Sequence, residues 1–96
     1  MQQYLIIARD GTDAGATNRR MNARADHFKV AEGLKNNKNF IIGGAMLDEK
    51  GKMIGSMMVV QFENEDELKL WLRREPYVNG DVWKDIEVKP FRVADV

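Results

Sequence analysis

The hydrophobic and polar positions of this chain divide it into six segments with either strand-like or helix-like spacing. Residues 2–9 contain a nearly continuous apolar run, Tyr4 to Ala8, which is typical of a strand buried on both faces in the middle of a sheet. Apolar residues at spacings of three and four then predict a helix from Asn18 to about Asn36. The predicted apolar stripe of this helix consists of Met21, Ala25, Phe28, Ala31 and Leu34.

The first helix follows a run of turn-forming residues from Asp10 to Gly15, and Thr17 or Asn18 is its predicted N-cap. Two strand-length apolar runs come next, at residues 40–47 and 53–62, and the short polar connection between them predicts an antiparallel hairpin. The glycines within these runs predict bulges or close approach of another backbone. They are Gly43, Gly44 and Gly55.

A second helix is predicted to begin near Asn64, which is followed by three acidic residues that complement the helix dipole. Pro76 disfavours helical geometry in the residue before it, so this helix should end at residue 73 or 74 and leave Glu75 at its end. After a polar turn at residues 79–81, the alternation of residues 82–89 predicts a closing strand.

The resulting order, β-α-β-β-α-β, predicts a single α+β domain over residues 1–96, a ferredoxin-like sandwich with two helices on one face of a four-stranded antiparallel sheet. Nothing in the chain covers the other face of the sheet. An apolar face of several hundred Å² is unusual on a soluble monomer, so a homodimer that buries it is predicted. Apolar side chains for both faces include Met46, Met53, Met57 and Met58.

Composition removes several classes of protein. The 15 basic and 15 acidic residues give no net charge, which disfavours broad electrostatic binding of nucleic acid. There are no cysteines, so thiolate metal sites are excluded, and with a single histidine no metal centre is predicted. The N-terminal apolar run is too short for a signal peptide or a membrane span, and a cytoplasmic location is the default expectation.

His27 is the only histidine and lies at the edge of the predicted apolar stripe. It is either a half-buried histidine bonded to backbone or water, or an acid or base working near neutral pH. The predicted helices start at the same edge of the sheet, and His27 and Glu75 then lie at a similar depth, about 15 to 17 Å along them, in the groove between the two helices. Glu75 is either a partner that orients the imidazole or an exposed helix-end carboxylate of little energetic weight.

Arg20, Arg24 and His27 fall at i, i+4 and i+7 on one helical face. With Arg9 near the end of the first strand, they would suit a carboxylate, phosphate or phenolate ligand. The alternative is a solvated face paired with acidic residues of the same helix. Tyr77 is either a pocket-lining residue or a core aromatic.

A set of residues late in the chain resembles the YciI-like (YCII-related) family. The matching positions are Phe62, Leu68, Trp71, Glu75, Pro76, Tyr77, Gly80, Val88, Pro90 and Phe91. The resemblance implies a dimeric α+β barrel and a His–Asp site, formed by an Arg-x-x-His pair and the Asp of an Asp-Pro-Tyr tripeptide. Arg24 and His27 match the first motif, and Glu75 occupies the Asp position with one extra methylene. Both a direct contact with His27 and a water bridge are compatible with that change.

The sequence and the resemblance together predict a small dimeric enzyme that needs no cofactor. His27 and Glu75 would transfer a proton in an isomerisation or elimination on a small anionic or aromatic molecule. The expected substrate-binding residues are Arg9, Arg20, Arg24 and Tyr77. Two alternatives remain, a non-catalytic ligand-binding or accessory module with the same groove and a monooxygenase of the related barrel type.

Overall fold

The computed structural model describes residues 1–96, which form four strands and three helices. The strands are β1 (Gln2–Asp10), β2 (Phe40–Leu47), β3 (Met53–Phe62) and β4 (Trp83–Phe91). The helices are α1 (Ala16–Asn36), α2 (Glu65–Arg74) and the four-residue α3 (Pro76–Asn79). The predicted order is confirmed, and α3 is an additional helix that the sequence pattern did not predict.

All four strands pair antiparallel in the order β2-β3-β1-β4, the arrangement of a ferredoxin-like α+β sandwich. The register places Ile6 opposite Met58 on β3 and opposite Val88 on β4. Alternate residues therefore point towards the helices and away from them. On β1 the helix-facing residues Tyr4, Ile6 and Ala8 are buried, and the residues between them remain partly exposed. The expectation of burial on both faces is therefore wrong for the isolated chain, because only one face carries helices.

The β2–β3 hairpin is closed by Asp48, whose Oδ1 accepts hydrogen bonds from the backbone N–H groups of Lys50 and Lys52, both at 2.9 Å. Of the glycines within the hairpin strands, Gly43 and Gly55 confirm the predicted close approach. A Cβ on Gly43 would lie 2.9 Å from the carbonyl oxygen of Met57, and one on Gly55 would overlap the backbone of β1. Gly44 has no such neighbour.

The apolar stripe predicted for α1 is wrong at most of its positions. Met21 is 49% exposed and Phe28 is 52% exposed. The buried face carries Ala16, Arg20, His27 and Leu34, with the partly buried Ala23 and Val30 between them. The polar side chains of Arg20 and His27 thus occupy inward positions. Each is paired with a buried carboxylate from elsewhere in the chain.

The predicted N-cap is confirmed for α2 and is wrong for α1. Asn64 caps α2, and its side chain accepts a hydrogen bond of 3.0 Å from the backbone N–H of Glu67. At the start of α1, Gly15 occupies the N-cap without a side-chain hydrogen bond, so the predicted caps Thr17 and Asn18 lie within the helix. None of the helices is long and apolar enough to cross a membrane.

Candidate active site

Glu75 lies at the corner between α2 and α3. Because Pro76 opens α3, the chain leaves the helical conformation at Glu75, which has φ −65° and ψ 121°. Its side chain turns inward and is completely buried. The carboxylate accepts hydrogen bonds from Trp71 Nε1 and from the backbone N–H of Tyr77, both at 3.2 Å, and it contacts Nδ1 of His27. Three donors therefore stabilise a carboxylate that has no access to water.

His27 reaches Glu75 from the buried face of α1. The contact between Nδ1 and Oε1 is direct, so the extra methylene of glutamate does not require a bridging water. The imidazole stacks on the ring of Tyr77 with centroids 3.9 Å apart and an angle of 12° between the planes. A carboxylate at Nδ1 keeps the proton of a neutral imidazole on that nitrogen and leaves a lone pair on Nε2. Nε2 has no hydrogen-bond partner within the protein.

A cavity of about 290 Å³ lies between α1 and the β2–β3 hairpin, and His27 is one of its walls. The predicted site lies in the groove between the helices, whereas this cavity opens between a helix and the sheet. Its lining is mostly apolar, with one cluster of polar side chains. The lining residues are Arg20, Arg24, His27, Phe28, Ala31, Phe40, Gly43, Gly44, Ala45, Met53, Ser56, Met58 and Tyr77.

Arg20 forms a second buried pair beside the cavity, and this one is an ion pair. Its Nη1 donates to both oxygens of Asp10, at 2.9 and 3.0 Å, and both side chains are about 4% exposed. Its Nη2 donates to Ser56 Oγ at 2.8 Å, and Trp83 Nε1 donates to the same oxygen at 3.2 Å. Arg20 is thus neutralised by Asp10 of β1, which matches neither a free cation nor the predicted alternative, pairing with acidic residues of its own helix.

Tyr77 contacts one residue of each buried pair. Its ring stacks on His27, and the guanidinium carbon of Arg20 lies over it, 4.8 Å from the centroid. Burial raises the pKa of the Tyr77 hydroxyl, and the nearby Arg20 and Arg24 oppose this only in part. The hydroxyl therefore remains protonated at neutral pH and is a hydrogen-bond donor.

Arg24 and Arg9 occupy very different positions. Arg24 lines the cavity, lies 4.6 Å from the ring centroid of the half-exposed Phe28, and forms no ion pair. It is the one cation at the cavity without a carboxylate partner. Arg9 is exposed on the opposite face of the sheet, where it contacts Asp85 and Glu87 on β4 at 3.4 and 3.3 Å. The expectation that Arg9 joins the same anion site is wrong, because its position on β1 points away from the helices.

Sequence reasoning missed two residues that contact the predicted ones, Asp10 and Ser56. A signal was present for Ser56, the only serine of the chain, which lies inside the apolar run of β3 where a hydroxyl requires polar partners. The sequence pattern places Asp10 in the turn before α1, whereas it is the last residue of β1. The structure brings no group of three His, Cys, Asp or Glu side chains together in metal-binding geometry.

The sequence matches the profile of the YCII-related domain over residues 2–92. It is similar to an uncharacterised protein of Haemophilus influenzae, with 30% identity over 93% of this chain and 95% of that protein. It is also similar to the protein YciI of Escherichia coli, with 26% identity and the same coverage.

Among solved structures, the fold is similar to 5-chloro-2-hydroxyhydroquinone dehydrochlorinase (TftG) of Burkholderia phenoliruptrix, determined in complex with 2,5-dihydroxybenzoquinone. The TM-score is 0.81 at 22% identity, covering 96% of this chain and 95% of that one. At this identity the likeness shows the fold, that of the dimeric α+β barrel proteins. The profile match spans nearly the whole sequence, and the chain therefore belongs to the YCII-related family.

Proposed function

We propose that this protein is a cofactor-independent enzyme in which His27 transfers a proton and Glu75 orients His27. One observation carries the proposal: Nδ1 of His27 contacts a fully buried carboxylate, while Nε2 has no partner in the protein and His27 lines a cavity. A base fixed in one tautomer and facing a cavity is the arrangement that general acid–base catalysis requires.

The proton would pass from an acidic C–H or O–H of the substrate to Nε2 of His27. The electrons of the broken bond move into the substrate and leave negative charge on a conjugated oxygen. In an isomerisation the imidazolium returns the proton to a different carbon, and in an elimination the anion expels a leaving group with its electron pair. Both reactions need a base and a stabilised oxyanion.

We propose a small cyclic substrate that is anionic or aromatic. A cavity of about 150 Å³ already accepts benzene, so the cavity of about 290 Å³ has room for one substituted ring. Its walls include the rings of Phe28, Phe40 and Tyr77, and Arg24 supplies a free positive charge. The dehydrochlorinase that shares the fold was solved with a dihydroxybenzoquinone, which is a ligand of this kind.

We further propose that a second copy of the chain covers the open face of the sheet. Ile42 is 58% exposed there, and the neighbouring Leu5, Ile7 and Met57 are partly exposed. A partner sheet would bury this apolar surface. Sedimentation at micromolar concentration should show a dimer, and a compact monomer of 11.0 kDa at high concentration would contradict this.

The catalytic proposal can be tested with a panel of hydroxyquinones, phenols and lactones in deuterated water, followed by NMR. At least one compound should exchange a carbon-bound proton for deuterium or change its structure. His27→Ala should slow that change by about a hundredfold to ten-thousandfold. The matched control is Asn18→Ala, an exposed change near the start of α1. If the panel binds to wild-type protein and to His27→Ala without any chemical change, the protein is a ligand-binding module.

A further inference from the structure

The hydroxyl of Ser56 is held so that it can act only as a hydrogen-bond donor. A serine hydroxyl has two acceptor lone pairs and one proton. Arg20 Nη2 and Trp83 Nε1 each donate to Ser56 Oγ, at 2.8 and 3.2 Å, and so occupy both lone pairs. The proton has no acceptor within the protein, although the side chain is buried and lines the cavity. The acceptor for this proton is therefore a molecule in the cavity, either water or a ligand.

The hydroxyl of Tyr77 is a second donor without a partner. Tyr77 is 1% exposed and lines the cavity, yet its hydroxyl makes no hydrogen bond to the protein. Arg20 links it to Ser56, since the guanidinium bonds Ser56 Oγ and lies over the Tyr77 ring. Trp83 also contacts both residues, with its ring centroid 5.6 Å from that of Tyr77.

The side chains around the cavity are therefore rich in donors and poor in acceptors. Ser56, Tyr77 and the two arginines offer protons, and Nε2 of His27 is the one side-chain acceptor left without a partner. A polyol or an amine would leave its own donors unpaired in such a site, at a cost in affinity. A molecule with acceptor oxygens and a single acidic hydrogen would pair with these donors and with Nε2 of His27.

We propose that Ser56 and Tyr77 form an oxyanion-binding pair, which holds the substrate oxygen that becomes negative when His27 removes a proton. The substrate class is then an enolisable carbonyl compound or a phenol. The inference deepens the proposed function and rests on it for the claim that charge develops during a reaction. Binding of a stable oxyanion, in contrast, requires no turnover and tests the donor pair by itself.

The probe is para-nitrophenolate, and its partner is para-nitrotoluene, which has a similar shape and lacks the oxyanion. Wild-type protein should bind the phenolate more tightly. Tyr77→Phe should weaken phenolate binding about tenfold to a hundredfold, the usual worth of a hydrogen bond to a charged group, and leave nitrotoluene binding within about twofold. Because the hydroxyl bonds nothing in the protein, thermal stability should not fall. Tyr4→Phe, at the only other tyrosine, is the matched control.

Ser56→Ala should produce a similar selective loss, and Ser56→Thr should restore binding. Since alanine leaves Arg20 and Trp83 without an acceptor, Ser56→Cys is a second variant that keeps the shape of the side chain and donates only weakly. The proposal is overturned if wild-type protein does not distinguish the two probes, or if the variants weaken both equally. If the phenolate selectivity holds and no compound of the reaction panel changes, the donor pair stands and the proton-transfer function fails.

Discussion

Two buried polar pairs lie on one face of α1, two helical turns apart, and they differ in which hydrogen-bonding atoms each leaves without a partner. Arg20 is bound to Asp10 and Ser56 and is charged at every physiological pH. His27 has one nitrogen on Glu75 and the other without a partner. The permanent cation fixes a network around one end of the cavity, whereas the titratable group retains a lone pair for chemistry. The inward-facing polar residues of this helix thus stabilise the structure at one position and leave a base for chemistry at the other.

The largest expected effect comes from breaking the Arg20 pair. Arg20→Met should lower the free energy of unfolding by about 3–5 kcal/mol, because it leaves the carboxylate of Asp10 buried without a cation. Urea unfolding followed by tryptophan fluorescence measures this change. A loss below about 1 kcal/mol would mean that the pair is solvated and comparable to a surface ion pair.

A smaller loss is expected at the other pair, where geometry matters as much as charge. In wild-type protein the N–H donors of His27, Trp71 and Tyr77 use both oxygens of Glu75. Glu75→Gln retains the shape of the side chain but has only one acceptor oxygen, so at least one of these N–H groups faces the amide NH₂ group. Leaving a buried donor unsatisfied should cost about 1–3 kcal/mol in urea unfolding. Turnover should fall as well. Unchanged stability together with unchanged turnover would place Glu75 outside the site.

Arg24 tests whether a free cation contributes to ligand binding. Arg24→Met should weaken para-nitrophenolate binding up to about fivefold at low salt, as expected for a partly exposed charge. The difference should shrink as salt is added, since screening acts mainly on exposed charges. Lys35→Met, an exposed change at the far end of α1, should have no such effect. Equal effects would show that Arg24 is surface charge only.

The smallest effect is expected at Arg19, the neighbour of Arg20. Its hydrogen bond holds the pKa of the exposed Asp13 well below the usual value. A lowered pKa in the folded state stabilises the protein above the unfolded pKa, and this contribution is lost as the pH falls through the folded pKa. Arg19→Met should therefore differ slightly from wild type in urea at neutral pH and converge with it in acid. A loss as large as that of Arg20→Met would contradict the contrast between exposed and buried pairs.

The order of elements could be predicted because it depends on local patterns. The apolar runs of β1, β2 and β3, the alternation in β4, the cap at Asn64 and the proline after Glu75 are signals that each lie within a few neighbouring residues. The short helix α3 was missed since a single turn of four residues has no periodicity to detect. Its first residue is the same proline that indicated the end of α2.

The buried face of α1 could not be predicted from hydrophobicity. Polar side chains are stable in inward positions only when a partner, here distant in sequence, offsets the free-energy cost of removing them from water. Arg20 finds Asp10 ten positions earlier, and His27 finds Glu75 forty-eight positions later. The family motifs indicated the second pair, whereas nothing local indicated the first. The position of Ser56 between Arg20 and Trp83 likewise depends on strand register.

The central claim is that Glu75 accepts from Nδ1 of His27 and so leaves Nε2 as the base. Nitrogen-15 NMR of the imidazole measures this most directly, and the protein has only one histidine to assign. In the neutral ring of wild-type protein, Nδ1 should carry the proton and Nε2 should show the shift of an unprotonated nitrogen, while Glu75→Asp or Glu75→Gln should alter this pattern. A neutral ring protonated at Nε2, or a spectrum identical in all three proteins, would contradict the account.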